Sequence, residues 1–278
     1  RRGPLCNVPP MANGNQPRDG GNFVLKPEER DAILANEPGL ARFIRPYIGA
    51  EEFLKGKERY CIWLEDADED DIVTSPILSE RVKAVYDFRM ASKAKTTNGY
   101  AKTPTLFAQR PQKQGVDFLL LPMTSSERRK YLPIGYMNKD VIASNAAFVV
   151  ADATLYHFGV LTSLMHNAWM RAVAGRLKSD YRYSKEIVYN DFPWPNPTDE
   201  QRAAIEKAAQ AVLDARANHP SAAPKDMYDP DNEFLYQDLM QAHRKLDTAV
   251  ETAYGVNFDG NEEKMVAHLF KLYAEAAQ

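Results

Sequence analysis

Cysteine is scarce: Cys6 and Cys61 are the two cysteines in 278 residues, and they form no CxxC pattern. A disulfide framework and a zinc ribbon are thereby excluded, and a reducing, cytoplasmic compartment is expected. Glycine is absent from the spacings that bind nucleotides. None of the fourteen glycines stands two positions from another, so no GxG turn exists for a dinucleotide or S-adenosylmethionine, and there is no GxxxxGK[ST] loop. No apolar run approaches the ~18 residues of a membrane span, and no charged segment precedes an apolar one as in a secretion signal, so no membrane role is expected. The five histidines (His157, His166, His219, His243, His268) show neither HxH nor HxxxH spacing, which leaves no metal pattern.

Catalytic motifs are missing in the same way. The Pro9-Pro10 pair follows Val8, so the (Asn/Asp)-Pro-Pro-aromatic loop of amino-methyltransferases is lacking, and Asp191-Phe192-Pro193-Trp194 puts Phe192 where a proline belongs. Ser92-x-x-Lys95 lacks the companion motifs of SxxK chemistry. Glu262-Glu263-Lys264 matches half of a nuclease signature without an upstream strand Asp. No catalytic, metal-binding or cofactor-binding residue is assigned, and a self-sufficient hydrolase is disfavoured.

What is present is an ordinary globular composition, 44% apolar and 26% charged, on a chain long enough for one large or two modest domains. It begins Arg1-Arg2-Gly3-Pro4 rather than with Met, which reads as a piece of something longer. The net charge of −3 conceals segregation. Residues 1–80 carry −5, residues 81–139 carry +9 (12 basic, 3 acidic), residues 140–198 balance, and residues 199–278 carry −7. A basic middle in an acidic protein suggests a polyanion-binding surface. The plainer alternative is a set of solubilising cations that offset the acidic run Glu65–Asp71.

Periodicity predicts the elements. Residues 1–25, with four prolines, read as extended chain and turns. Pro27 opens a helix to about Asn36. Glu58–Leu64 is a strand candidate. Ser75-Pro76 caps a helix to about Ser92, with Ile77, Val82, Val85 and Phe88 as its buried stripe. Residues 93–116 form a polar loop. Asp117–Met123, Tyr131–Met137 and Val141–Ala151 suggest an antiparallel meander. Asp152 caps a long helix over Ala153–Leu177, and Tyr181–Tyr189 returns as a strand. The proline-rich segment Asp191–Pro197 stops both helix and sheet. Three helices follow, over about 199–218, 233–254 and 261–277.

Several stretches suit nucleic acid. Ser125-Ser126-Glu127-Arg128-Arg129-Lys130-Tyr131 puts three successive cations after two hydroxyls, which can lie along a phosphate backbone. Arg89, Ser92, Lys93 and Lys95 end a helix, where cations also complement its dipole. Gly175–Lys185 interleaves cations with Tyr and Ser. The backbone-contact candidates are therefore Arg89, Ser92, Lys93, Lys95, Ser126, Arg128, Arg129, Lys130, Lys178, Arg182, Tyr183 and Lys185. Ser144 and Asn145 interrupt two apolar runs and are base-reading candidates, since Asn can pair bidentately with adenine, although turn chemistry also explains an Asn there.

The words of the sequence then become recognisable. Phe43–Phe53 with Arg59–Leu64, Gly14–Asn22, Ser125–Gly135 (SSERRKYLPIG), Leu155–Gly159 (LYHFG), Gly175–Pro195, Met227–Pro230 and Ala242–Val250 resemble, in one order, the region after the catalytic domain of type IIL restriction–modification methyltransferases. The resemblance implies an α+β fold: a mixed or antiparallel sheet recognition domain with packed helices (26–197), a lead-in from a catalytic domain (1–25) and a C-terminal helical bundle (198–278). It implies a sequence-specific recognition module of a DNA adenine-N6 methyltransferase. Double-stranded DNA and the parent's catalytic domain are the expected partners, and S-adenosylmethionine binds in that other domain. The cations between residues 81 and 185 are expected on one wall. A protein-interaction scaffold with an acidic helical tail is the alternative.

Overall fold

The computed structural model describes residues 2–277. Its elements follow local rules more closely in the N-terminal third than in the middle. Strands β1 (Met11–Asn13) and β2 (Val24–Leu25) lead into α1 (Pro27–Asn36), which starts at a proline and carries Glu28 and Glu29 in its first turn. Strand β3 (Ile44–Ile48), helix α2 (Ala50–Lys55) and strand β4 (Tyr60–Ile62) follow. Gly56 ends α2 with φ of 62°, a conformation that glycine adopts without penalty. Asp68 caps α3 (Glu69–Thr74), and the Ser75 side chain accepts the Leu78 N–H to cap α4 (Pro76–Met90). The buried positions of α4 are Leu78, Val85 and Arg89, whereas Phe88 is exposed. The expected Ile77–Val82–Val85–Phe88 stripe is thus rotated, with Ile77 and Val82 only partly buried.

The stretch read as a polar loop holds α5 (Lys95–Gly99) and buries Phe107 among Phe23, Tyr47 and Trp63. Beyond it lie β5 (Phe118–Pro122), β6 (Thr124–Ser125), β7 (Gly135–Met137), β8 (Ile142–Ala143) and β9 (Ala147–Ala151). They do not form a meander. The order of one sheet is β1-β9-β5-β7, with fully buried β5 inside it, and β8 leaves it to pair parallel with β3 in the sheet β2-β4-β3-β8. Residues 11–25 are accordingly part of two sheets, β1 on β9 and β2 on β4. Apolar runs can be seen in a sequence, but pairing partners are set by which faces can be buried together.

The long helix expected from Ala153 is two helices, α6 (Leu155–Thr162) and α7 (Leu164–Val173), divided at Ser163. That serine's hydroxyl turns back to Val160 O and also faces the His166 N–H, so one residue ends one helix and caps the next. Thr154, not Asp152, is the N-cap of α6. The chain then folds into the hairpin β10 (Gly175–Leu177) and β11 (Asp180–Arg182), and the predicted strand beyond Arg182 is instead a single wide helical turn over Lys185–Tyr189. In the proline-rich segment Phe192 and Trp194 are buried, and Trp194 meets the rings of Tyr156, Tyr189 and Phe192.

The tail is α8 (Asp199–Ala217), α9 (Pro224–Met227), α10 (Gln237–Ala253) and α11 (Glu262–Ala276). Ile205, Ala209, Val212 and Ala215 form the buried helical stripe of α8. It packs on α6, where a Cβ at Gly159 would stand 2.7 Å from Ile205. One core runs without a break from Leu119 and Trp169 through Phe192 to Ile205, Leu246 and Leu269. The tail is therefore seated on the same core as α6, α7 and β5.

Candidate nucleic-acid interface

The strand β6 pairs with β11, which pairs with β10, so a third small sheet of order β10-β11-β6 carries the basic turn and the basic hairpin together. Thr124 lies opposite Arg182, and Ser125 opposite Tyr181. Alternation along β11 buries Tyr181 and leaves Arg182 on the other face, exposed. Lys178 sits at the hairpin tip with φ of 56°, exposed at the two-residue turn. Lys185 begins the wide turn that follows, 3.6 Å from Glu186.

In the turn from β6, the Ser126 carbonyl accepts the Arg129 N–H at 3.2 Å, and its hydroxyl accepts the Arg128 N–H at 3.4 Å. Arg128 is exposed and pairs with Asp231 at 2.7 Å, a contact that raises its pKa. Arg129 is half-buried; burial lowers its pKa, opposed by the carboxylates of Asp229 and Asp180. Lys130 is exposed with its ammonium 5.6 Å from the Tyr131 ring. These cations are partly neutralised by the acidic tail, so the +9 of residues 81–139 overstates the local field.

Lys93 and Lys95 are exposed at a second place, beside α5. There the Arg18 guanidinium donates to Thr97 at 3.0 Å and lies 5.7 Å from the Tyr100 ring. Ser92, partly buried, accepts the Ala94 N–H and acts as a local turn group. Asn145 is exposed, and its N–H donates to Asn15 O at 3.0 Å. Asn15 stands three residues before Arg18 in the chain, so one short segment touches Asn145 at its start and α5 at its end.

Three candidates are corrected. Arg89 is completely buried, and all five guanidinium N–H donors meet carbonyl oxygens. Nε donates to Arg18 at 3.0 Å, Nη1 to Tyr100 and Thr103 at 2.9 and 2.8 Å, and Nη2 to Pro17 and Leu106 at 2.9 and 2.7 Å. It ties the loop to α4 and cannot reach a phosphate. Tyr183 is buried, with its hydroxyl 3.1 Å from His166 Nε2. Ser144 is buried, donates its N–H to Ile48 O, and lies against Gly14 so closely that a Cβ there would overlap its carbonyl. Each is polar in sequence, and each is held inside by groups that its own neighbourhood in the sequence does not show.

Sequence reasoning passed over Arg18 and Arg176. Arg176 stands 3.8 Å over the Tyr181 ring and 3.5 Å from Glu127, which braces the hairpin against the basic turn. Arg18 lies in the stretch read only as extended chain and turns, and nothing local pointed from it to α5. Among the described residues, no group of three or more His, Cys, Asp or Glu side chains could hold a metal, and no helix is long and apolar enough to cross a membrane.

Comparison with known proteins bears on this surface. Residues 1–196 match the family model for the MmeI target recognition domain, and residues 197–278 match that for the MmeI C-terminal domain. DNA methyltransferase A of Bacillus subtilis (strain 168) is 36% identical over 279 residues, covering 100% of this chain and 31% of that protein. The solved structure of the type IIL restriction-modification enzyme MmeI in complex with DNA superposes with a TM-score of 0.92 at 42% identity, covering 100% of this chain and 37% of that one. The chain thus spans about a third of the length of the relatives it matches.

Proposed function

The chain belongs to the MmeI family, in its target recognition and C-terminal domains, and on that premise we propose that it is the sequence-specific double-stranded DNA recognition module of a restriction–modification adenine-N6 methyltransferase. The observation that carries this reading is the β10-β11-β6 sheet. It sets the turn that carries Arg128 and Lys130 beside the hairpin that carries Lys178 and Arg182, four exposed cations that can share one stretch of phosphate backbone. Lys93 and Lys95 with Arg18 supply a second backbone contact, and Asn145 a base contact. Recognition so divided holds a duplex in register and presents one adenine, flipped from the stack, to a catalytic domain.

S-adenosylmethionine binds elsewhere in this reading, because the residues present do not fit it. The glycines with positive φ (Gly20, Gly21, Gly56, Gly115, Gly255, Gly260) lie in turns, Gly20 and Gly21 in the same one, and none opens a helix from a strand. The acidic partners of Arg128 and Arg129, Asp231 and Asp229 of the tail and Asp180 of β11, belong to this same chain, so the tail's acidity does not require the scaffold alternative.

The test is salt-dependent binding of duplex DNA. Arg128→Ala with Arg129→Ala is expected to weaken binding to all sequences and to lower the slope of log K against log salt by about 0.9 for each phosphate no longer neutralised. An unchanged slope removes the turn from the interface, and no binding at low salt favours the scaffold. Asn145→Ala is expected to relax sequence preference at one position; retention of the full preference ends its base-reading role.

A further inference from the structure

Tyr131 follows the basic turn directly, and its side chain is built into the C-terminal helices. Its hydroxyl donates to Asp247 Oδ2 at 2.6 Å, and its ring stacks on His243 at 4.1 Å between centroids. The other oxygen of Asp247 accepts the N–H of Leu164, the first residue of α7, at 2.7 Å. Flanking residues are held in the same manner. Arg171 of α7 donates to Lys130 O at 2.9 Å, and Asn167 accepts the Leu132 N–H at 2.7 Å. None of these anchors belongs to the sheet that carries the turn.

We infer that Asp247 is a positioning residue for DNA binding: one carboxylate on α10 fixes the exit of the Ser126–Lys130 turn against the start of α7 and so sets where the turn's cations meet the phosphates. The inference rests on the reading of that turn as a DNA contact. The carboxylate is suited to this task because it has acceptor positions for two donors on two different elements, and a short side chain that holds them in fixed relation. Charge strengthens both bonds.

The same arrangement makes the anchor sensitive to pH. A cavity of about 390 Å³ opens beside Asp247. Lys130 faces it from the turn, Arg244 and Glu251 from the same helix, Asp259 from the loop before α11, and the uncharged Leu164 from the start of α7. Tyr131 and His243 close the buried side. Burial pushes the Asp247 carboxyl up to about 6, with Glu251 adding to the rise; the bonds from Tyr131 and Leu164 and the charge of Lys130 oppose it. As pH falls through that value the charge disappears and the turn loosens.

The experiment measures duplex affinity and its salt slope on the full chain for wild type, Asp247→Asn, Arg128→Ala/Arg129→Ala, and all three changes together. Asp247→Asn keeps shape and one acceptor; Tyr131→Phe, which removes only the donor, serves as the second variant if Asn disturbs folding. The expected result is about a fivefold loss of affinity for either variant, with a shallower salt slope. The combined variant falls no further than the double arginine variant. A fall in wild-type affinity between pH 7.5 and 5.5 is absent in Asp247→Asn. A full additive loss in the combined variant, or a lowered melting temperature with an unchanged slope and pH profile, overturns the inference while the DNA reading stands. If the double arginine variant itself binds as wild type, both fall together.

Discussion

Replacing Arg89 with methionine tests the internal role that the structure gives this residue. Methionine approximates the length of the side chain but donates nothing, so five carbonyl oxygens are left without this partner: those of Pro17, Arg18, Tyr100, Thr103 and Leu106. An unpaired buried carbonyl costs about 1–3 kcal/mol. The carbonyls of the surface loop can turn toward water, so two or three are left dry, and the total is about 4–6 kcal/mol. At roughly 2–4 °C per kcal/mol for a chain of this size, the melting temperature drops by about 10–20 °C. Arg89→Lys, with three donors instead of five, recovers part of that drop. Thermal unfolding followed by circular dichroism gives the shift, and a salt titration of duplex binding below the transition gives the second readout. If Arg89→Met melts within about 2 °C of wild type and its salt slope falls by about 0.9, the guanidinium serves DNA and not the five carbonyls.

Two further outcomes are expected. Gly159→Ala places a methyl group 2.7 Å from Ile205 and 3.2 Å from both Ala209 and Leu246, so urea unfolding should show destabilisation by about 1–3 kcal/mol, and an unchanged midpoint would mean that α6 and α8 are not packed together. His166 is completely buried, which lowers its pKa to about 3. Its contribution to stability is complete above the unfolded value near 6.5 and declines as pH falls, by about 2 kcal/mol at pH 5. Asp247, with its raised pKa, gains stability in the same window, so the comparison is between wild type and His166→Gln. Unfolding midpoints at pH 7 and 5 should differ by less in the variant, and an equal difference would place His166 in water.

Legibility in the sequence differs by element. Helices with a proline or hydroxyl start, such as α1, α4 and α8, were readable because their caps are local. The division of α6 from α7 was not, because Leu155–Thr162 is apolar on nearly every face and gives no sign of where it stops; a single serine hydroxyl decides it. Of the candidate contacts, those in turns stayed at the surface (Arg128, Lys130, Lys178). Lys95 in α5 and Arg182 in β11 stayed outside as well, whereas Arg89, Ser144 and Tyr183 were drawn inside by partners that the sequence around them does not show.

From residue types alone came the absence of nucleotide and metal patterns, the segregated charge, the punctuation of most helices and the basic stretches, all of them properties of short windows. Folding decided which of those cations share a sheet, which are enclosed in the interior, and that the acidic tail reaches across to Arg128 and Tyr131. The physical reason is range. Capping and periodicity act over a few residues, whereas strand order and the burial of a polar group depend on partners about a hundred positions away, such as Asp231 for Arg128 and Asp247 for Tyr131, that only a packed core brings near.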